Sequence, residues 1–226
     1  MMPVITRPLP KAVLWDLDGT LVDSDPLWTA AERECVIAHG GTWTDSVADP
    51  LAGAALTTCA RVLREAGVLL PDEAIIHELV NSVVRKYGDS VPWVPGAVEL
   101  LTALRDAGVP SVLVTGSPHA LADRVIEAAP AGAFVGCVTG DDDVRDKPDP
   151  EPYERGASLA GVKPGECLAF EDSPTGLAAA VAAGTQAVTV KAHARTVVPD
   201  ADDHLTIGAL ADVQVHADRL ELSTGE

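Results

Sequence analysis

The apolar positions of the chain fall into two periods. Continuous runs occur at residues 12–16 (AVLWD), 109–117 (VPSVLVTGS), 133–140 (AFVGCVTG), 166–172 (ECLAFED) and 186–190 (QAVTV). A strand covered on both faces has no polar side with which to alternate, so these runs predict strands of a buried sheet. Between them, helical spacing covers 95–107, 118–129, 151–160 and 174–183. The last carries a full set of boundary signals: Ser173 as N-cap, Pro174 at the first helical position and Gly184 after the end. Strands alternating with single helices require right-handed crossovers, which gives an α/β class with a parallel, Rossmann-like sheet.

Residues 25–91 break this alternation. PLWTAAERECVIAHG, LAGAALTTCARVLREAG and DEAIIHELVNSVVRKYG all repeat their apolar positions at helical spacing, with no strand between them. The expected organisation is therefore a core made of 1–23 plus 92–226, with an all-helical cap domain, 24–91, inserted after the first strand. VPWVPG (91–96) has the composition of a return hinge, and the final STGE is expected to fray.

Hydrophobic residues at 47% and charged residues at 22% fit a folded globular protein rather than a disordered one. The formal charge is −18, so the surface repels nucleic acid and anionic membranes, and neither is expected as a partner. An anionic substrate must be held by local cations. Cys35, Cys59, Cys137 and Cys167 form no CxxC pair, which argues for buried free thiols in a reducing compartment. MMPVITRPLPK has no apolar core of leader length, and a cytoplasmic chain is expected.

In a parallel sheet ligands sit beyond the C-terminal strand ends. Those ends carry Asp16 and Asp18, then Thr115-Gly116-Ser117, then Glu171-Asp172, while Lys147 lies in RDKPDPEPY between the third strand and its helix. Singly each is a weak signal, since an Asp-x-Asp is commonly a turn and Glu-Asp-Ser-Pro a helix start. Their order along successive strands carries the information.

In that order DLDGTLVDS, VTGS, KPDPEPY and EDSPTG resemble the four motifs of the haloacid-dehalogenase-like hydrolase superfamily, and the helical insert resembles its first cap type. The likeness runs from about Ala12 to Val190 and is greatest to the small phosphatases and beta-phosphoglucomutases. It implies that Asp16 is a nucleophile forming an acyl-phosphate and that Asp18 is the general acid/base. It also implies that Thr115, Gly116 and Lys147 bind phosphate. Three carboxylates and a phosphate dianion need a cation. The resemblance supplies Mg²⁺ on Asp16, the Asp18 backbone carbonyl and Asp172, with Glu171 acting through water.

Candidates for substrate contact are Trp28 and Gly53 in the cap, and Ser117 and His119 beside the second motif. His39, His77, His193, His204 and His216 show no ligand spacing and are expected on the surface. Asp141-Asp142-Asp143 reads as a solvated loop, with a supporting role near Lys147 as the alternative. Trp15 is expected in the core, Arg61 and Arg64 on a solvated face.

The expected activity is hydrolysis of a small phosphorylated metabolite, a sugar or polyol phosphate, by a monomer, with a dimer as the alternative. A phosphomutase of the beta-phosphoglucomutase type and a non-catalytic metabolite-binding protein are the competing readings. Trp28 and Leu56 stand where such mutases carry a histidine and an arginine, which weighs towards the phosphatase.

Overall fold

The computed structural model describes residues 3–224 except 52, 89, 195 and 200. In chain order the elements are β1 (Val4–Pro8), β2 (Ala12–Trp15), α1 (Asp25–Ala38), α2 (Asp45–Ala48), α3 (Leu56–Glu65) and α4 (Asp72–Tyr87). Then follow α5 (Ala97–Asp106), β3 (Ser111–Val114), α6 (His119–Ala128), β4 (Phe134–Val138), α7 (Glu151–Leu159) and β5 (Cys167–Glu171). The chain closes with α8 (Pro174–Ala182), β6 (Gln186–Val190), β7 (His204–Ile207), β8 (Val213–Val215) and β9 (Arg219–Ser223). It divides into two compact units, Met1–Asp23 with Trp93–Glu226, and Ser24–Pro92.

The first unit holds a six-stranded sheet in the order β4-β3-β2-β5-β6-β7, and every pairing in it is parallel. All residues of β2, β3 and β5 are buried, as their unbroken apolar runs require. From β2 the chain builds outward through β3 and β4, then returns to the other side of β2 as β5. The strand order thus reverses at β2, and the crevice beyond its end is the ligand position of such sheets. Trp15 and Phe170 stack across the β2–β5 pair with ring centroids 4.6 Å apart. Gly156 lets α7 lie close on the sheet, since a Cβ there would meet Val114 Cγ2 at 2.8 Å.

Three features depart from the sequence reading. The helix expected from Pro95 starts at Ala97, because Gly96 takes a left-handed φ of 88° and lies so close to Ala211 that a Cβ would clash with its backbone nitrogen. A small antiparallel sheet, β1-β9-β8, joins residues near both termini. Within the tail expected to fray, Ser223 is in β9 and Thr224 donates its backbone N–H to Pro3 O; Gly225 and Glu226 lie outside the described residues. Finally β7 extends the main sheet, and its pairing on β6 turns the His204 side chain inward to 2% exposure, against Asp203 at 2.7 Å, rather than onto the surface.

The second unit is helical. Ile75, Leu79 and Val83 form the buried stripe of α4, Cys59 and Leu63 that of α3, and Trp28, Ala31 and Cys35 that of α1, each at three- or four-residue spacing. Among the described residues no helix of the chain is long and apolar enough to cross a membrane.

Candidate active site

Register decides which side chains meet. Trp15 pairs with Leu113 on one side and Phe170 on the other, so Asp16, Val114-Thr115 and Glu171-Asp172 leave the three central strands at one level. Asp16 is 7% exposed, and its backbone N–H still donates to Phe170 O, which fixes the carboxylate's origin.

Lys147 comes from the loop between β4 and α7 and is the hub of the cluster. Its Nζ lies 2.7 Å from Asp16 Oδ1, 2.6 Å from Glu171 Oε1 and 2.9 Å from the Val114 carbonyl. With its side chain 12% exposed, burial alone would lower its pKa, but Asp16 and Glu171 outweigh burial and hold the ammonium above its ordinary range.

Glu171 is saturated with donors. Oε1 accepts from Lys147 and from Tyr153 Oη at 2.6 Å, while Oε2 accepts from the Asp172 and Ser173 backbone N–H groups and from Ser173 Oγ. Ser173 Oγ also caps α8 by accepting from Gly176 N, and a Cβ on Gly176 would overlap the Glu171 carboxylate. A carboxylate engaged on both oxygens is better suited to bracing Lys147 than to serving as a direct metal ligand.

Oxygen atoms of Asp16, Glu171 and Asp172 all lie within 4.8 Å of one another. Burial, then Glu171, push the Asp16 carboxyl up to about 7, with Lys147 opposing them. One ammonium therefore does not balance the cluster. The donor set is hard and all-oxygen, which fits Mg²⁺ rather than a thiophilic metal. Gly19 lets the Asp172 carboxylate lie against the turn after β2: φ is 81°, and a Cβ there would overlap Asp172 Oδ2.

Asp18 has a different partner. Its Oδ2 accepts a 2.6 Å hydrogen bond from Ser117 Oγ, so the two carboxylates of the Asp-x-Asp pair are held by different partners. Thr115 Oγ1 accepts from Ser117 N at 2.9 Å, and Gly116 borders open space. His119 is 45% exposed on the first turn of α6, with Asp123 at 4.0 Å and Asp142 at 3.8 Å.

The acid run is more engaged than a solvated loop. Asp141 Oδ2 accepts from His119 N, and Asp142 Oδ2 accepts from Thr139 N and Oγ1; the Thr139 backbone N–H holds the Asp142 carboxyl below its ordinary range. The first bond ties the loop after β4 to the start of α6, and the others fold that loop on itself. Tyr153 is the contact sequence reasoning missed: it sits inside KPDPEPY, yet on a helix it reads as a core aromatic.

Trp28 and Gly53 belong to the helical unit. Trp28 is 8% exposed on α1; Gly53 is exposed with φ at 66°. Arg61 and Arg64 are exposed and paired with Glu65 and Asp72.

A family model for haloacid dehalogenase-like hydrolases matches residues 10–184. Hexitol phosphatase A of Escherichia coli (strain K12) is 34% identical over 188 residues, spanning 82% of this chain and 85% of that protein. Validoxylamine A 7'-phosphate phosphatase of Streptomyces hygroscopicus subsp. limoneus is 33% identical over 177 residues, spanning 77% and 82%. The crystal structure of CbbY from Rhodobacter sphaeroides in complex with phosphate superposes with a TM-score of 0.77 at 24% identity, covering 90% of this chain and 96% of that one.

Proposed function

The chain belongs to the haloacid dehalogenase-like hydrolases, and from that premise we propose that it is a Mg²⁺-dependent phosphatase releasing phosphate from a small sugar or polyol phosphate through an aspartyl-phosphate. The observation that carries this is the Lys147 bridge between Asp16 and Glu171, with Asp172 in the same cluster and Asp18 held apart on Ser117. The phosphatases named above, one of them a hexitol phosphatase, support the substrate class.

Asp16 attacks phosphorus, and the bond to the ester oxygen breaks. Asp18 gives its proton to the departing alkoxide, then takes one from the water that attacks the acyl-phosphate; inorganic phosphate leaves and Asp16 is restored. Lys147 keeps Asp16 oriented and offsets negative charge on the phosphoryl oxygens. Thr115 Oγ1 and the Gly116 amide are donors for those oxygens, and the open space beside Gly116 suits their approach. Asp16, Asp172 and the Asp18 carbonyl would hold Mg²⁺, which when bound supplies the positive charge that draws phosphate dianion into an acidic site.

The test is phosphate release from a panel of hexitol, pentitol, hexose and triose phosphates with Mg²⁺. Turnover of a polyol or sugar phosphate, lost in Asp16→Asn, is expected. No turnover of any member by folded, metal-supplied protein would sink the proposal. A bisphosphate-primed conversion of beta-glucose 1-phosphate to glucose 6-phosphate would instead establish the mutase.

A further inference from the structure

The helical unit contains a second cluster of metal-ligating side chains, of different chemistry. Cys35 and His39 stand four residues apart at the end of α1, which places them on one face, and Glu78 reaches them from α4. One ligand atom of each lies within 4.8 Å of the others, and the His39 ring Nε2 is 3.1 Å from Glu78 Oε2. We propose that Cys35, His39 and Glu78 form a site for a transition-metal dication of the Zn²⁺ class, clipping the end of α1 to the middle of α4.

Three observations support the site. Its donors are one sulfur, one imidazole nitrogen and one carboxylate oxygen, the mixed set that suits Zn²⁺ and disfavours Mg²⁺. It is therefore chemically distinct from the all-oxygen group of Asp16 and Asp172. Exposure is graded: Cys35 is 2% exposed, while the His39 and Glu78 side chains are 28% and 38% exposed, so the site has a buried floor and a solvent side. An ion can enter from that side, and water can complete a tetrahedron. Finally, the site lies at the C-terminal end of α1, where backbone carbonyls carry partial negative charge that favours a cation.

The surroundings of Cys35 do not favour a role for it as a nucleophile. Burial and the neighbouring Glu78 carboxylate push the Cys35 thiol up to about 12, so it stays protonated and donates to Glu78. A protonated, buried thiol is a poor nucleophile despite the adjacent histidine. On binding, the sulfur loses its proton to solvent and the Glu78 oxygen exchanges that proton for the metal; no oxidant or reductant is needed.

The test is titration of the 226-residue chain with Co²⁺ in excess Mg²⁺, followed in the ultraviolet and visible. One equivalent should produce a thiolate-to-cobalt charge-transfer band with tetrahedral d–d bands, and Zn²⁺ should bleach both. Cys35→Ser should abolish the charge-transfer band, Cys59→Ser should leave it, and His39→Ala or Glu78→Gln should weaken binding by roughly tenfold or more. Absence of the band in the wild type, or its survival in Cys35→Ser, would overturn the site. Because Cys35 is buried and its replacement could disturb the helices, the half-exposed His39 gives an independent readout. Zn²⁺ should raise the wild-type Tm by clearly more than that of His39→Ala, and an equal rise in both would overturn the site as well.

Discussion

Ser117 Oγ donates a 2.6 Å hydrogen bond to Asp18 Oδ2, joining residues 99 apart in sequence across the ends of β2 and β3. The bond gives the second carboxylate of the Asp-x-Asp pair a partner different from the Lys147 that holds Asp16. Ser117→Ala removes the anchor and leaves the carboxylate in place. A hydrogen bond of this kind contributes about 1 to 1.5 kcal/mol, so kcat should fall about tenfold with KM little changed. Asp18→Asn removes the acid/base group itself and should cost on the order of 10² to 10⁴ in kcat. Steady-state kinetics on the best panel substrate separate the two; a Ser117→Ala enzyme of wild-type kcat would show that the anchor is dispensable.

Lys147 offers a stronger test, because it serves stability and chemistry together. Lys147→Met leaves Asp16 and Glu171 facing each other in a buried site without their common cation. Removing one partner from a buried ionic cluster costs about 3–5 kcal/mol, so urea denaturation should show a marked loss and activity should vanish. Lys147→Arg should keep much of the stability but little activity. A planar guanidinium cannot place one nitrogen on Asp16 Oδ1, Glu171 Oε1 and the Val114 carbonyl at once.

Tyr153→Phe isolates a single donor. Burial, and then Glu171, hold the phenol pKa well above its ordinary range, so Tyr153 is a permanent O–H donor to Glu171 Oε1. The phenylalanine ring fills the same core space while Oε1 keeps Lys147 as a partner. The expected loss is about 1–2 kcal/mol in urea unfolding, with turnover reduced only modestly. A loss as large as that of Lys147→Met would mean that Tyr153, and not Lys147, holds Glu171 in place.

These residues also mark what the sequence made legible. Asp16, Thr115, Glu171 and Asp172 could be read because each ends or follows a strand buried on both faces, whose apolar run announces itself, whereas Lys147 stands well beyond the part-exposed β4 and was legible only through its KPDPEPY motif. β1, β7, β8 and β9 could not: VITRP, HLTI, VQV and RLELS are short, half-exposed and lack that run. β1 and β9 are made strands by each other, with Val4 opposite Ser223, a pairing no local pattern encodes. Tyr153, Asp141 and Asp142 were visible as residue types, but their partners come from other elements. His39 was read as showing no ligand spacing; its proximity to Cys35 and Glu78 emerges only from the packing of α4 on α1.

The Asp16 carboxyl gives the last prediction, on the pH dependence of Mg²⁺ binding. Without metal, burial and then Glu171 push it up to about 7 despite Lys147. A carboxyl with a raised pKa binds its proton over a pH range in which an ordinary aspartate would be ionised. Mg²⁺ requires the ionised form, so below about pH 7 the proton and the metal compete for one oxygen set, and above it they do not. Mg²⁺ affinity should therefore fall about tenfold per pH unit from 7 towards 5 and level off above 8. Calorimetry in two buffers of different ionisation enthalpy should show close to one proton released per Mg²⁺ at pH 6 and few at pH 8.5. In Asp16→Asn the remaining affinity should lose most of this slope. An affinity independent of pH between 5.5 and 8 in the wild type would show that Lys147 keeps Asp16 ionised without metal, and that the ammonium outweighs burial.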